Sequence, residues 1–291
     1  MANAKLVKEL RDRTGAGFLD CKKALTATNE DIEKAIAWLQ ERGAAKAAKK
    51  AGAIAAEGVV AIASNETHTV IYEVNAQTDF VAQNKEFNDV VAVIGEALLT
   101  KDFVTAEEAN KIEYKGKTIT QITTDATAKI GEKILLRRAF KIKTDGVVVG
   151  GYTHTNKQVA ALFVAEGSKA DEAKNVAMHI TAMNPEFLNE ASVPADKIEK
   201  IKKESLEKLM DSPKKNVPDN IKEKILSGML RKALSELTLV DQEFVMEKMS
   251  VAQYLKNSGL TEKLMVRYEV GEGIEKQDVD FAAEVAAQMA G

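Results

Sequence analysis

The chain has 291 residues, 45% hydrophobic, 29% charged and only 5% aromatic, with a formal net charge of −3 and one cysteine, Cys21. That length suits two or three compact units with cores of Ala, Val, Ile and Leu, and the lone cysteine excludes an intramolecular disulfide or a cysteine metal cluster. The acidic balance argues against generic nucleic-acid binding, no apolar run approaches the roughly 18 residues of a membrane span, and Met1 to Lys8 lacks the apolar stretch of a signal peptide, which together point to a cytoplasmic protein.

The basic residues gather at the front. Residues 1–56 carry eleven Lys or Arg against seven Asp or Glu, so the remainder is acidic by seven charges. A basic front on an acidic body suits docking against an acidic partner, and a solvated helix surface would give the same count. Leu6, Val7 and Leu10 form one apolar stripe. Thr14-Gly15-Ala16-Gly17 breaks it, and Phe18, Cys21, Ala24 and Leu25 follow with helical spacing. Thr28-Asn29 can cap a third helix carrying Ile32, Ala35, Ile36 and Leu39, and Gly43 suits the position that ends it. Residues 1–43 therefore read as a three-helix module, too small to bury much and suited to recognition. Residues 44–57 are almost all Ala, Lys and Gly, which predicts a basic helical linker with Lys46, Lys49 and Lys50 exposed.

From 58 to 143 strand and helix signals alternate. Val59–Ala63 and Thr69–Val74 are β-branched runs joined by Ser64-Asn65-Glu66. Phe80 to Leu99 has a helical period, with Phe80, Phe87, Val91, Ile94 and Leu98 as its buried stripe. Tyr114 to Thr124 is ambiguous. Ile134–Ile142 and Val147–Thr153 flank Thr144-Asp145-Gly146, a hairpin signal. Val159–Ala165 reads as a strand and Asp171–Met183 as a helix stopped at Asn184-Pro185. The recurring order predicts an α+β fold of two subdomains, 58–143 and 144–194 with 238–270, each an antiparallel sheet with helices on one face. Within the second, residues 195–237 turn to Lys and Glu. Ile198, Ile201, Leu206 and Leu209 form one apolar run and Ile221, Ile225, Met229 and Leu237 the next. Asp211-Ser212-Pro213 and Pro218 part them, giving an inserted helical hairpin. Leu264–Val270 resumes the sheet, and 271–291 is a C-terminal module with a last helix over Val279–Met289.

No catalytic constellation is present. His68, His154 and His179 sit in separate elements without metal-ligand spacing, and there is no G-x-x-x-x-G-K-[ST] or G-x-G-x-x-G. Gly15-Ala16-Gly17 lies between two helices rather than after a strand, and in Gly271-Glu272-Gly273 a glutamate would meet the phosphate. Neither a cofactor nor a metal is expected. Cys21 has no base in sequence reach and suits a small core residue better than a nucleophile. The informative segment is Asn75 to Ala82, where a buried strand runs through a polar turn into a helix. Thr78 is a fair N-cap and Asp79 suits the positive helix end, while Val81 stands where a capping-box partner would be. The turn is then either an N-cap followed by a core aromatic, Phe80, or a rigid aromatic wedge flanked by a carboxylate.

Thr14-Gly15-Ala16-Gly17-Phe18-Leu19-Asp20-Cys21-Lys22-Lys23-Ala24-Leu25 closely resembles the N-terminal signature of the elongation factor Ts family. Thr78-Asp79-Phe80-Val81 matches its second signature, and Ile130-Gly131-Glu132 with Arg137-Arg138 a third. Tyr152-Thr153-His154 and Met178-His179-Ile180 resemble two more, and Val266 to Lys276 resembles the C-terminal module. The matches run the length of the chain in the family's order. Three departures stand out. Phe18-Leu19 replaces the frequent pair of methionines, Glu243 stands where proline is frequent, and Lys157-Gln158 differs from the usual run near His154.

The resemblance implies a ubiquitin-associated-like N-terminal module and a guanine nucleotide exchange factor that binds elongation factor Tu without covalent chemistry, and so is no enzyme. It implies that the 1–43 module docks on the GTPase domain and that Asp79 and Phe80, flanked by Thr78 and Val81, enter near the partner's magnesium. Ile130, Gly131 and His154 are implied second contacts. Phe18 and Leu19 would form an apolar docking pair beside Lys22 and Lys23, and Val245 and Met246 would touch another domain of the partner. A homodimer through the core or the helical hairpin is a further possibility, and neither a membrane nor a nucleic acid is expected as partner. Two other classes compete. A generic adaptor built on the three-helix module leaves the Thr78–Val81 turn unexplained, and an enzyme on the α+β core lacks catalytic groups.

Overall fold

The structure is a computed structural model that describes residues 3–212 and 216–275. The fold is α+β, and the chain divides into two compact units. Among the described residues, one takes 3–63, 70–141 and 268–275, and the other takes 64–69, 142–212 and 216–267.

The first unit begins with three helices. Helix α1 (Ala4–Thr14) is capped by the Asn3 side chain, which accepts the Lys5 N–H, and ends at Gly15 in the left-handed region. Helix α2 (Phe18–Ala27) follows from Gly17. Helix α3 (Ile32–Lys50) starts at Asp31, whose carboxylate accepts the Lys34 N–H. Thr28-Asn29 is therefore not the cap, because Asn29 and Glu30 both take positive φ in a tight turn and Asp31 is the first side chain past it. Val7, Leu10, Cys21, Ala24, Leu25 and Ala35 form a small core.

Strands β1 (Glu57–Ser64) and β2 (His68–Ala76) come next. They lead to α4 (Asp79–Gln83), α5 (Lys85–Thr100) and α6 (Ala106–Asn110). A two-residue hairpin of β3 (Glu113–Tyr114) and β4 (Lys117–Thr118) opens α7 (Ile119–Ile130), which Thr118 and Gln121 cap reciprocally. This resolves the ambiguous Tyr114–Thr124 segment as a hairpin and then a helix. Strand β5 (Leu135–Lys143) completes a three-stranded sheet with β2 in the middle. The central strand is buried from Thr69 to Ala76, and Phe87, Val91, Ile94 and Leu98 of α5 pack with Ile119 and Leu136 in its core. Gly95 lets α5 approach the sheet, since a Cβ there would run into the Tyr72 hydroxyl. Gly43 does not end α3. It lies inside the helix, and a Cβ there would stand 3.1 Å from the Ala128 methyl of α7, so the missing side chain lets the two helices meet.

Glu73, on β2, is fully buried and heavily bonded. Arg137 Nη1 donates to both of its oxygens at 3.0 and 3.1 Å, Arg138 Nε at 2.5 Å, Asn75 Nδ2 at 3.0 Å and the Gly271 amide at 2.9 Å. Arg138 also stacks on Tyr268 and pairs with Glu272 at 3.0 Å. A buried carboxylate so partnered ties residues 268–272 to the sheet.

In the second unit β6 (Val148–Thr153) and β7 (Val159–Glu166) are antiparallel, with Val148 opposite Ala165 and Thr153 opposite Ala160. The predicted hairpin across Thr144-Asp145-Gly146 is therefore wrong. Gly146 makes the turn with positive φ, but β5 and β6 join different sheets, and the Thr144 N–H donates to Thr67 O instead. Helix α8 (Ala170–Met183) ends at Asn184 in the left-handed region. It lies close against β6, where a Cβ on Gly150 would overlap the Ala173 backbone. Helices α9 (Ala195–Met210) and α10 (Asp219–Leu237) form the helical hairpin. Its seam differs from the expected one. Ile201, Leu209 and Leu234 are buried, whereas Leu206 and Ile221 are exposed. Helix α11 (Val251–Ser258), absent from the sequence reading, packs Val251, Tyr254 and Leu255 on the core before β8 (Thr261–Glu269). The expected helix over Val279–Met289 lies outside the described residues, as does Pro213 of the hairpin break.

Candidate protein-binding surfaces

Strand β2 delivers the chain to Thr78, which caps α4. Its hydroxyl accepts the Val81 N–H at 3.4 Å, and Asp79 Oδ1 accepts the Phe80 N–H at 2.9 Å. After five residues α4 stops at Asn84, whose extended backbone leaves the helix and whose side chain caps α5 through the Glu86 N–H at 2.8 Å. That break resets the helical phase. Phe87, Val91, Ile94 and Leu98 face the core as expected, but Phe80 does not join them and is 81% exposed. Val81 and Ala82 pack inward beneath it. The turn thus holds an aromatic ring in water beside a carboxylate, on a backbone fixed from both ends.

A second element grips the turn. Helix α7 ends at Gly131 (φ +92), whose N–H donates to Thr127 O. The next residue, Glu132, accepts the Thr78 N–H on Oε2 at 3.0 Å and the Thr78 hydroxyl on Oε1 at 2.8 Å. The Lys133 N–H donates to Gln77 Oε1 at 3.0 Å, while Lys133 Nζ donates to the carbonyls of Ala51 and Ala53 at 2.7 and 2.9 Å. Of the expected contacts Ile130 and Gly131, Ile130 is half-buried against the core and Gly131 is exposed. Sequence reasoning named that pair and missed the roles of Glu132 and Lys133. Glu132 stood in the quoted motif, but its partner is 54 residues away and no local pattern marks the pairing.

On α2, Phe18 and Leu19 are 56% and 68% exposed, and Lys22 and Lys23 are exposed on the same helix. Asp20 pairs with Lys46 at 3.2 Å. Cys21 turns into the core, where burial pushes its thiol pKa up and away from nucleophilic use.

In the second unit, His154 is exposed at the turn between β6 and β7, with Nδ1 at 2.7 Å from Asn156 Oδ1. Val245 and Met246 are about half exposed on a loop that Glu243 and Ser250 bridge. Phe244 anchors the loop. It is buried against His179 and Tyr254, and its N–H donates to Met249 O at 2.8 Å. His179, fully buried, receives the Val245 N–H on Nδ1 at 3.3 Å and donates from Nε2 to Gln242 Oε1 at 2.9 Å, which defines its tautomer.

Among the described residues, no three His, Cys, Asp or Glu are grouped to hold a metal ion, and no helix is long and apolar enough to cross a membrane. The arrangement offers exposed apolar and aromatic side chains at the starts of two helices and on a bridged loop, the chemistry of protein recognition.

Comparison with known proteins covers nearly the whole chain. The family model described as "Elongation factor TS" matches residues 77–272, and the one described as "Elongation factor Ts, mitochondrial, N-terminal" matches residues 1–50. A relative from Mycoplasmopsis pulmonis named elongation factor Ts is 54% identical over 98% of this chain and 97% of its own length. Its namesakes from Metamycoplasma arthritidis and Mycoplasma mobile are 49% and 47% identical, over 98% and 99% of both chains respectively.

Proposed function

The chain belongs to the elongation factor Ts family, and from that premise we propose that it is a guanine nucleotide exchange factor for elongation factor Tu, releasing GDP by pressing Asp79 and Phe80 into the GTPase near its magnesium site. The observation that carries this reading is the exposure of Phe80, 81%, on a turn whose backbone is capped by Thr78 and gripped by Glu132. A ring held clear of the core on a fixed backbone offers a large apolar area to a pocket on a partner, the chemistry of an interface anchor.

The mechanism follows from the metal's demands. Mg²⁺ requires near-octahedral geometry and bridges the nucleotide phosphates to the protein, so a small displacement of its supporting shell weakens GDP binding. Phe80 inserts between partner side chains and shifts the helix beneath that shell, and Asp79 reorganises the adjacent polar contacts. Linkage makes the effect mutual: a factor that weakens nucleotide binding is itself bound more weakly when nucleotide returns. Arriving GTP therefore expels it, and no energy is consumed. The 1–43 module supplies affinity through Phe18, Leu19, Lys22 and Lys23, Ile130, Gly131 and His154 add contacts on the GTPase domain, and Val245 with Met246 meets another domain.

The test is release of a fluorescent GDP from elongation factor Tu with this protein at substoichiometric level. Acceleration with turnover is expected. A folded protein that leaves the release rate unchanged with a cognate Tu would return the chain to the adaptor class.

A further inference from the structure

The exchange turn owes its shape to a loop, residues 131–134, in which only Gly131 is itself an expected partner contact. Residues 131–134 are locked at both ends by one buried side chain and its backbone. Thr127 O accepts the Gly131 N–H, and Thr127 Oγ1 accepts the Ile134 N–H at 2.9 Å. From that fixed base the loop reaches in two directions. Glu132 takes both Thr78 donors at 2.8 and 3.0 Å, and Lys133 holds the carbonyls of Ala51 and Ala53 at 2.7 and 2.9 Å while its N–H holds Gln77. One short loop therefore binds the end of the linker that carries the three-helix module and the cap of the helix that carries Phe80.

We propose that Glu132 and Lys133 are positioning residues for nucleotide exchange, a clip that fixes the Thr78–Val81 turn and ties it to the linker of the N-terminal module. The inference rests on the exchange-factor reading above. Without Glu132, the Thr78 hydroxyl keeps only its weak 3.4 Å cap to Val81, and the N-terminal end of the five-residue α4, the end that carries Phe80, loses the carboxylate that holds its cap. Phe80 then samples several positions, and ordering it must be done on the partner at the expense of the rate. Lys133 acts one step further back. Its two carbonyl bonds stop the linker from moving independently of the turn, so that docking of the module and entry of Phe80 occur as one event.

The experiment is a double-mutant cycle on the maximal GDP-release rate from elongation factor Tu, using Glu132→Ala, Phe80→Ala and the double variant, with thermal unfolding of each. Glu132→Ala should lower the maximal rate about tenfold in the parent and leave it unchanged in the Phe80→Ala background, because a clip has nothing to aim once the ring is gone. A general loss of folding would lower both equally and would show in the melting temperature, so equal losses overturn the proposal. Lys133→Met should raise the concentration of factor needed for half-maximal release, and Lys133→Arg should restore much of it, whereas no change in either overturns the linker half of the clip. If Phe80→Ala itself exchanges at the full rate, the wedge reading fails. If Phe80→Ala is inactive and Glu132→Ala is normal, the wedge stands and the clip fails.

Discussion

His179 Nδ1 accepts the backbone N–H of Val245 at 3.3 Å from a site with no exposure to water. The bond can exist only while the imidazole is neutral at that nitrogen, and burial pushes the His179 pKa below its ordinary value near 6.5. In the unfolded chain the ring regains that ordinary value. As pH falls through about 6.5 the unfolded state therefore takes up a proton that the folded state refuses, and stability is lost progressively down to the folded pKa. Above that window the contribution is intact. Urea unfolding midpoints should fall between about pH 7.5 and about pH 5.5, and part of the fall should vanish in His179→Asn, whose side-chain oxygen can stand near the Nδ1 position and does not titrate. Equal pH dependence in the two proteins would show that His179 is not the titrating group.

The Glu73 cluster makes a second stability prediction. With Glu73 truncated to Ala, two guanidinium groups that are three-quarters buried lose the carboxylate they share, Arg138 keeping only Glu272 and Arg137 no carboxylate partner among the described residues, and the Gly271 amide loses its acceptor. Breaking a buried pair by removing one partner costs about 3–5 kcal/mol. The urea midpoint of Glu73→Ala should drop accordingly, and limited proteolysis should cut first near residues 268–272, which the carboxylate holds. A loss under about 1 kcal/mol would mean that water satisfies the arginines.

Much of the fold was legible because β2 is a β-branched run and the apolar residues of α5 recur at a helical period from Phe87 to Leu98, whereas in the 195–237 hairpin the two helices were legible and their seam was not. Misreadings fall where one local rule yields to another. Phe80 lies seven residues before Phe87, so it shares the apparent stripe of α5, but Asn84 caps a new helix and resets the phase. Asp145-Gly146 does turn the chain, yet the strands on either side find other partners. Gly43 fits a helix end by type, but its use is close approach to Ala128. In the candidate site, the Thr78 cap was readable from the strand, turn and helix that follow one another, but the same pattern left Phe80 open as a core aromatic, and Asp79 and Phe80 were singled out only by the resemblance of Thr78-Asp79-Phe80-Val81 to a family signature. The supports were not legible, because Glu132 meets Thr78 and His179 meets Val245 only through the tertiary fold.

Phe80→Ala should separate function from stability. The ring is mostly in water, so its removal should change unfolding free energy by no more than about 0.5 kcal/mol. If the ring is the wedge, the same change should abolish most of the GDP release from elongation factor Tu. A variant that melts normally and exchanges normally would assign Phe80 to the surface and leave the turn as helix capping.

The exposed pair on α2 predicts the opposite kinetic signature. Phe18 and Leu19 offer apolar area whose burial on a partner is worth about 1.5–3 kcal/mol per side chain, and they lie on a module distinct from the Phe80 turn. Contacts that hold equally before and during nucleotide release supply uniform binding, which sets the concentration needed and not the rate at saturation. Phe18→Ser with Leu19→Ser should therefore raise the half-saturating concentration of the factor at least about tenfold while the maximal release rate stays within about twofold of the parent. A fall in the maximal rate with unchanged half-saturation would place the pair in the displacement step itself, and the division of labour between a docking module and an exchange turn would have to be abandoned.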